Sequence, residues 1–512
     1  MILGDSGVRS AAANVCHELR LANTSLSAPG SSGPSVWLGI DVGTQGVRVG
    51  AYESNGTEVA FGEAKRPPRQ PVPRAMIHDP EADWWHGARD ALRPVLGQTA
   101  KRRIDGIGLA GLFPAVCLVD DSGEALGSGI LYGDGRAANE VMTVQRRLGV
   151  TLTGDEVSPR LLWLRHESPA AYGRARLALG PTGFIGFRLT GVASIDPHSA
   201  VRWGGIVDIE RRRWDSASLR KLDIDEGLLP PIRRPHDQIG VVSAEAARAT
   251  GLRPGIPVVA GTTDSMAAML GDGAVRRGDA MIYYGSSGTL LICTVDFEEA
   301  IEDVAKFGPN APYRLSAYAL DSGRFLEKVR SALCAEESFK ILDQEAARRP
   351  PGANGISVFP HVSGQLMPHA RPGARGAVTG MSLSHVRGDL WRAMLESFGF
   401  ILMQAQPSLA EGVQSVTAAG GGAFSGVWRS IISDMTGWTQ RLAPYGGSAR
   451  GAAFLAAYGL GGVQSFNAIN DLWLAGGRNR PQTLPNAKKH AQYSELFVSW
   501  ARLDDALSNS VL

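Results

Sequence analysis

The sequence predicts an α/β protein of two similar domains that face each other across a cleft. Three observations carry this. Near the start, Trp37-Leu38-Gly39-Ile40-Asp41-Val42-Gly43-Thr44-Gln45-Gly46-Val47-Arg48 is an apolar run, a glycine-bearing turn and a second apolar run. Far downstream, Ala280-Met281-Ile282-Tyr283-Tyr284-Gly285-Ser286-Ser287-Gly288-Thr289-Leu290-Leu291 repeats the pattern. Each reads as strand, tight turn, strand. Glycine allows positive φ and lets backbone N–H groups converge on an anion, so the pair reads as two halves of one phosphate clamp. The third observation is length, since 512 residues exceed one ordinary core.

Residues 1–35 differ from the rest of the chain. They lack the apolar centre of a secretory signal and read as a disordered tail or an over-long start, ahead of an organelle presequence. The first domain is expected over residues 36–265, the second over 266–480, and a C-terminal extension over 481–512. After the first hairpin, Ser54-Asn55-Gly56 turns the chain into a further strand. Asp79-Pro80 reads as a helix start, with Asp79 as cap and apolar spacing through Ala88, Leu92 and Leu96. Residues 104–120 read as two strands around Gly111-Leu112-Phe113-Pro114, and residues 158–189 as helical segments. The run Ile256-Pro257-Val258-Val259-Ala260-Gly261 leads into Thr262-Thr263-Asp264, after which helical periodicity resumes through Met266, Met269 and Leu270.

Composition narrows the partners. A formal net charge of +2 leaves no electrostatic footprint for nucleic acid or an anionic membrane. No apolar run approaches the roughly 18 residues of a membrane span. Cys16, Cys117, Cys293 and Cys334 are scattered without metal or redox spacing, so a soluble cytoplasmic protein with reduced thiols is expected.

Asp41 is the most chemical residue of the first hairpin. A carboxylate at a strand end can hold hydrated Mg²⁺, while Gly43, Thr44, Gln45 and Arg48 can meet phosphate. Asp264 follows a buried-looking strand and opens a helix, a place from which a carboxylate can take a proton from a hydroxyl; the plainer role is a helix cap. Gly420-Gly421-Gly422-Ala423-Phe424-Ser425 lets a ring or ribose approach the backbone. Tyr132-Gly133-Asp134-Gly135-Arg136 can aim a carboxylate and a guanidinium at a polyol, or form a solvated turn with an ion pair. Trp84 and Trp85 can wall a sugar, with at least one of them expected in the core. Gly106-Ile107-Gly108-Leu109-Ala110-Gly111 matches the dinucleotide-binding spacing but lies within strand-like sequence, where that loop cannot form. No Gly-Lys pair exists to make a P-loop.

Taken in order, these residues resemble the FGGY carbohydrate kinases. The resemblance runs from about residue 37 to 462 and includes Gly376-x-Val378-x-Gly380-Met381, Asp389-Leu390 and Ala393-Met394-Leu395-Glu396. It implies two RNase-H-like domains of the actin-like ATPase fold that close on ATP and a sugar, with a homodimer expected by analogy. It also implies roles: Asp264 as general base, Asp41 as the Mg²⁺ residue, and Gly43, Thr44, Gln45, Arg48, Gly285, Ser286 and Ser287 on phosphate. Gly421, Gly422, Ala423 and Ser425 match the adenine–ribose segment. Leu112, Phe113, Asp134, Arg136, Ser265 and Trp85 fall on the acceptor side. Xylulokinases carry Gly-Gln-Met-His where this chain has Gly111-Leu112-Phe113-Pro114, and the exchange removes groups that read sugar hydroxyls. The expected activity is ATP-dependent phosphorylation of a ketose such as xylulose or ribulose. Another ketose, a polyol, a non-catalytic nucleotide sensor and an acceptor-free ATPase remain the alternatives.

Overall fold

The computed structural model describes residues 34–302, 313–319, 321–334, 337–365, 367–369, 371, 373–409, 412–475 and 480–509. Nearly all of the expected tail, and Cys16, lie outside them. Cys117, Cys293 and Cys334 are buried free thiols.

Two sheets carry the fold. The first contains β1 (Ser35–Gly43), β2 (Gly46–Tyr52), β3 (Glu58–Lys65), β4 (Arg103–Gly111), β5 (Gln238–Val241), β6 (Pro257–Val259) and the short β7 (Thr262–Thr263). Its order is β5-β6-β4-β1-β2-β3, with β7 also on β4. The second contains β8 (Asp279–Tyr284), β9 (Gly288–Cys293), β10 (Tyr313–Ala319), β11 (Ser415–Ala419), β12 (Gln440–Leu442) and β13 (Gln482–Thr483), in the order β10-β9-β8-β11-β12-β13. The plans match. In each, three strands meander antiparallel, two more join parallel to the first, and an antiparallel strand closes the edge. This duplication bears out the two RNase-H-like domains that the resemblance implies.

Sequence explains the strands locally. β1 is buried along almost its whole length, as a continuous apolar run between two covered faces should be. In the first hairpin Gly43 faces Gly46 across the two-residue turn Thr44-Gln45, and Gly46 has φ +148°. The Asp79 carboxylate accepts from the N–H groups of Glu81 and Ala82, starting a π-helical turn that runs into α1 (His86–Gln98). The two strands expected around Gly111 both form. The second, Cys117–Val119, leaves the main sheet and pairs with Leu177–Leu179 instead. The Gly106 to Gly111 run is strand throughout, which removes the dinucleotide motif.

The helices that frame the cleft and the second core are α2 (Pro181–Thr190), α3 (Asp264–Gly271), α4 (Ser322–Leu333), α5 (Arg387–Ala405), α6 (Gly426–Thr436), α7 (Gly447–Gly459) and α8 (Ala487–Asn509). Residues beyond 480, expected as an extension, supply β13 and α8. Tyr493 and Trp500 of α8 are buried in the second core, where Trp500 stacks on Phe359 and Phe400.

The two halves meet through α7. This helix belongs to the second half, yet it packs on β1, β4 and α3. A Cβ at Gly39 would stand 1.8 Å from the carbonyl oxygen of Ala449, and one at Gly108 1.8 Å from that of Ala452. A Cβ at Gly451 or at Gly271 would stand 1.9 Å from the carbonyl oxygen of Ala267 or of Gly447. Backbone rests on backbone here. Gly108→Ala is therefore expected to lower stability by about 1–3 kcal/mol through overpacking, read from the midpoint of urea unfolding. At Gly97, in α1, a Cβ would meet nothing within 4 Å. Gly97→Ala should move the midpoint the other way, by about 0.4–1 kcal/mol.

Candidate active site

Asp41 ends β1 at the mouth of the first hairpin and is 1% exposed. Its Oδ2 accepts from Nη1 of Arg48, its register partner on β2, at 3.2 Å, while Oδ1 has no partner. Burial raises the Asp41 pKa, against the pull of Arg48. Arg48 is held from its other side by Glu63, whose Oε1 accepts from Arg48 Nε at 3.2 Å and from the Tyr445 hydroxyl at 3.2 Å. Tyr445 precedes α7, so this chain of bonds ties the first hairpin to the second half.

Asp264 opens α3, but it does not cap it. Thr263 does, accepting from the N–H of Met266 at 3.2 Å. The Asp264 carboxylate accepts from the N–H of Ser265 at 2.7 Å. It is half-buried and lies within electrostatic range of Asp41 and Arg48. Burial, with the negative charge of Asp41 added, pushes its pKa up to about 7; the Ser265 N–H and Arg48 oppose.

The second hairpin turns over Gly285-Ser286-Ser287. The carbonyls of Gly285 and Ser286 accept from the N–H groups of Gly323 and Arg324 at the start of α4, at 3.0 and 3.1 Å. Tyr283, exposed beside this turn, faces Arg48, Asp264, Asp41 and Tyr445. Tyr283 thus brings the second hairpin within electrostatic range of the Asp41–Asp264 pair. Gly420 has φ +88°, and a Cβ there would stand 2.8 Å from the carbonyl oxygen of Tyr284, so this position needs glycine twice over. It sets the Gly421–Phe424 turn against the second hairpin.

Several expected side chains have other employment. Ala423 is fully buried and has only its backbone to offer a ligand. Ser425 caps α6 through the N–H of Trp428 and donates to Asp343 Oδ2 at 2.6 Å. Ser265 shares a hydrogen bond with the Tyr313 hydroxyl at 2.7 Å. Asp134 is buried and spent on Arg136, at 2.7 Å from Nη2, and on the N–H of Met76. Arg136 lies 4.4 Å over the Trp163 ring. The sugar wall does not form from the tryptophan pair. Trp84 is enclosed and donates to His78 Nδ1 at 3.0 Å, and Trp85 is 3% exposed beneath the Arg188 guanidinium. Apolar area of that size is worth more inside the α1 core than in the cleft. Leu112 is buried too, whereas Phe113 is part-exposed.

Other groups lie near the site with no role assigned to them from the sequence. Tyr132 lies beside Thr44 and within range of Asp264, and Tyr318 and Arg324 approach it from the second half. Glu63, Tyr283 and Tyr445 are single polar residues in unremarkable sequence. The one usable signal was the alternation that puts Glu63 on the same face of β3 as Phe61.

Known proteins resemble this chain. The N-terminal domain model of the FGGY family of carbohydrate kinases matches residues 36–271, and the C-terminal domain model of the same family matches residues 313–460. The chain belongs to the FGGY family. It is an ATP-dependent carbohydrate kinase. It is 28% identical over 487 residues to a xylulose kinase of Escherichia coli, covering 91% of this chain and 98% of that one. An autoinducer-2 kinase of Klebsiella pneumoniae is 26% identical, with 91% and 93% covered. Among solved structures, a xylulose kinase from Rhodospirillum rubrum superposes with a TM-score of 0.77 at 28% identity, over 92% of this chain and 99% of that one. Among the described residues, no helix is long and apolar enough to cross a membrane.

The raised pKa of Asp264 has a signed consequence. A carboxyl that holds its proton more tightly folded than unfolded favours the fold while protonated. That contribution is complete below the unfolded value of 3.8 and is lost as pH climbs through about 7. Asp264→Asn is expected to make the fall in stability between about pH 4 and pH 7 shallower, by up to one proton in slope, as measured by urea unfolding across that range. Asp272 and Asp196, which burial raises to about 7 and about 6, keep the remainder of the slope.

Proposed function

We propose that the protein transfers the γ-phosphoryl group of ATP to one hydroxyl of a small ketose, a pentulose such as xylulose or ribulose, with Asp264 as general base. The observation that carries this reading is the Asp264 carboxylate: it is not used as the helix cap, and it lies within electrostatic range of Asp41 and Arg48 on the first hairpin and of Tyr283 on the second. The pentulose follows the relatives named xylulose kinase. The replaced Leu112-Phe113-Pro114 segment keeps another ketose or a polyol as the alternative.

Asp264 accepts the proton of the attacking hydroxyl and aligns its oxygen with phosphorus. A pKa near 7 suits a base that must take a proton and later release it at neutral pH. Backbone N–H groups of the two hairpin turns, together with Arg48, meet the phosphate oxygens and offset the charge that spreads over them. The half-buried setting of Asp264 and closure of the halves limit water, which would otherwise take the phosphoryl group. Asp41 fits a role toward Mg²⁺, since its buried Oδ1 lacks a partner. Among the described residues no three metal-ligating side chains converge, so such an ion would keep water and phosphate as most of its ligands. When bound, Mg²⁺ supplies positive charge to the phosphate chain.

ADP release with Mg-ATP, measured across a panel of ketoses, aldoses and polyols, should show one acceptor strongly preferred. kcat/KM for it should rise with pH through about 7 as Asp264 ionises. Asp264→Asn should lose about 10²–10⁴-fold in kcat while ATP binding, followed by calorimetry, stays intact. Full turnover in that variant would remove Asp264 from the base role.

A further inference from the structure

Behind the altered Leu112-Phe113-Pro114 segment lies a small cavity of ≈ 30 Å³. Its lining is mostly apolar, with Leu112, Phe113, Ile195 and Trp203 among it, and its polar side chains are Thr182, Ser194, Asp196 and Ser199. Ser194 is 3% exposed, and its Oγ has no hydrogen-bond partner. An unpaired buried hydroxyl is unfavourable until a ligand or water meets it. Asp196 is 2% exposed and accepts from Ser199 Oγ, from the N–H groups of His198 and Ser199, and from Thr262 Oγ1 at 3.2 Å. Among the described residues no Lys, Arg or His lines the space.

The position relative to the base is set by the chain. Ala260 is part of the wall, and Thr262 is held on one side by Asp196 and on the other by Thr182 Oγ1, which donates to the Thr262 carbonyl at 3.3 Å. Asp264 follows two residues later, within about 7 Å of extended backbone. The size is selective. A water needs roughly 10–15 Å³ by the same measure, so the cavity suits two or three non-hydrogen atoms and rejects a ring.

We propose that this cavity is the end pocket of the acceptor site: it takes the terminal hydroxymethyl group of a neutral ketose or polyol, Ser194 bonds that hydroxyl, and Asp196 turns away an acceptor ending in a carboxylate. The inference rests on the kinase reading and adds to it the acceptor's charge and the group that anchors it. A carboxylate placed there would meet a buried acid and no cation, whereas a hydroxymethyl group can both donate and accept.

Steady-state kinetics on the full chain test this, using the preferred neutral acceptor, the same acceptor shortened by one hydroxymethyl group, and the aldonic acid of equal length. Ser194→Ala is expected to raise the acceptor KM about tenfold, and Ser194→Val, which also fills the space, to raise it further. The KM for ATP should stay unchanged in both, which reports an intact fold. The shortened acceptor should be weak with wild type and nearly indifferent to either substitution, and the aldonic acid should not be phosphorylated. An unchanged acceptor KM in Ser194→Val, with the kinase active, overturns the pocket and leaves the kinase standing. Equal turnover of the aldonic acid overturns the role given to Asp196. A wild-type protein that phosphorylates no acceptor overturns the kinase reading itself, and the pocket with it.

Discussion

The contact on which the rest of the molecule depends is the one that has no side chains in it. Helix α7 lies on β1 and β4 so closely that Gly39 and Gly108 touch the carbonyls of Ala449 and Ala452, while Gly271 and Gly451 let α3 and α7 cross backbone to backbone. Interiors transmit displacement because they are packed like crystals. Asp41 stands at the end of β1 and Asp264 at the head of α3, so both carboxylates are referred to the same helix. The apolar cluster around this junction, with Trp37, Met266, Met269, Phe454 and Trp473, holds the two halves in register. Precision at the site begins here.

That precision makes an unfavourable electrostatic arrangement tolerable. A buried and a half-buried carboxylate lie within electrostatic range of each other beside a single guanidinium, and burial raises the pKa of both. In an open cleft such a pair would simply ionise. Held by α7, β1 and the Arg48–Glu63–Tyr445 bonds, it keeps the pKa of Asp264 up at about 7. The same frame fixes the turn that leads into α3. Asp196 and Thr182 grip Thr262 from the first half, and Tyr313 grips Ser265 from the second, so the turn carrying Asp264 is pinned from both sides.

Much of this was legible in the sequence, for local reasons. Both hairpins announce themselves, because strand–glycine turn–strand depends on near neighbours. Asp79 caps its helix as its position before Pro80 suggests, and Gly420 marks a place where only glycine fits. Other readings failed at the point where two elements must meet. Trp85 and Asp134 looked available for a ligand, yet one is enclosed under Arg188 and the other is spent on Arg136. Ser265 stands next to Asp264 and is bonded to a tyrosine 48 residues away. The strand positions of Glu63 and Tyr283 and the isolated Tyr445 do not reveal what these side chains meet, since their contacts arise only from the approach of strands and loops far apart in the chain.

By itself the sequence determined the duplicated α/β plan, the two glycine turns and the identity of the residue that opens α3. Turn chemistry, strand alternation and helix capping are short-range, and each is written within a dozen residues. Tertiary structure alone decided which polar groups are free. It capped α3 with Thr263 and so released Asp264, it consumed Ser425 and Ser265 in hydrogen bonds, and it left Ser194 unpaired in a cavity behind Phe113. The physical reason is that a side chain's availability depends on desolvation and on partners from distant segments, and neither quantity exists until the chain has folded.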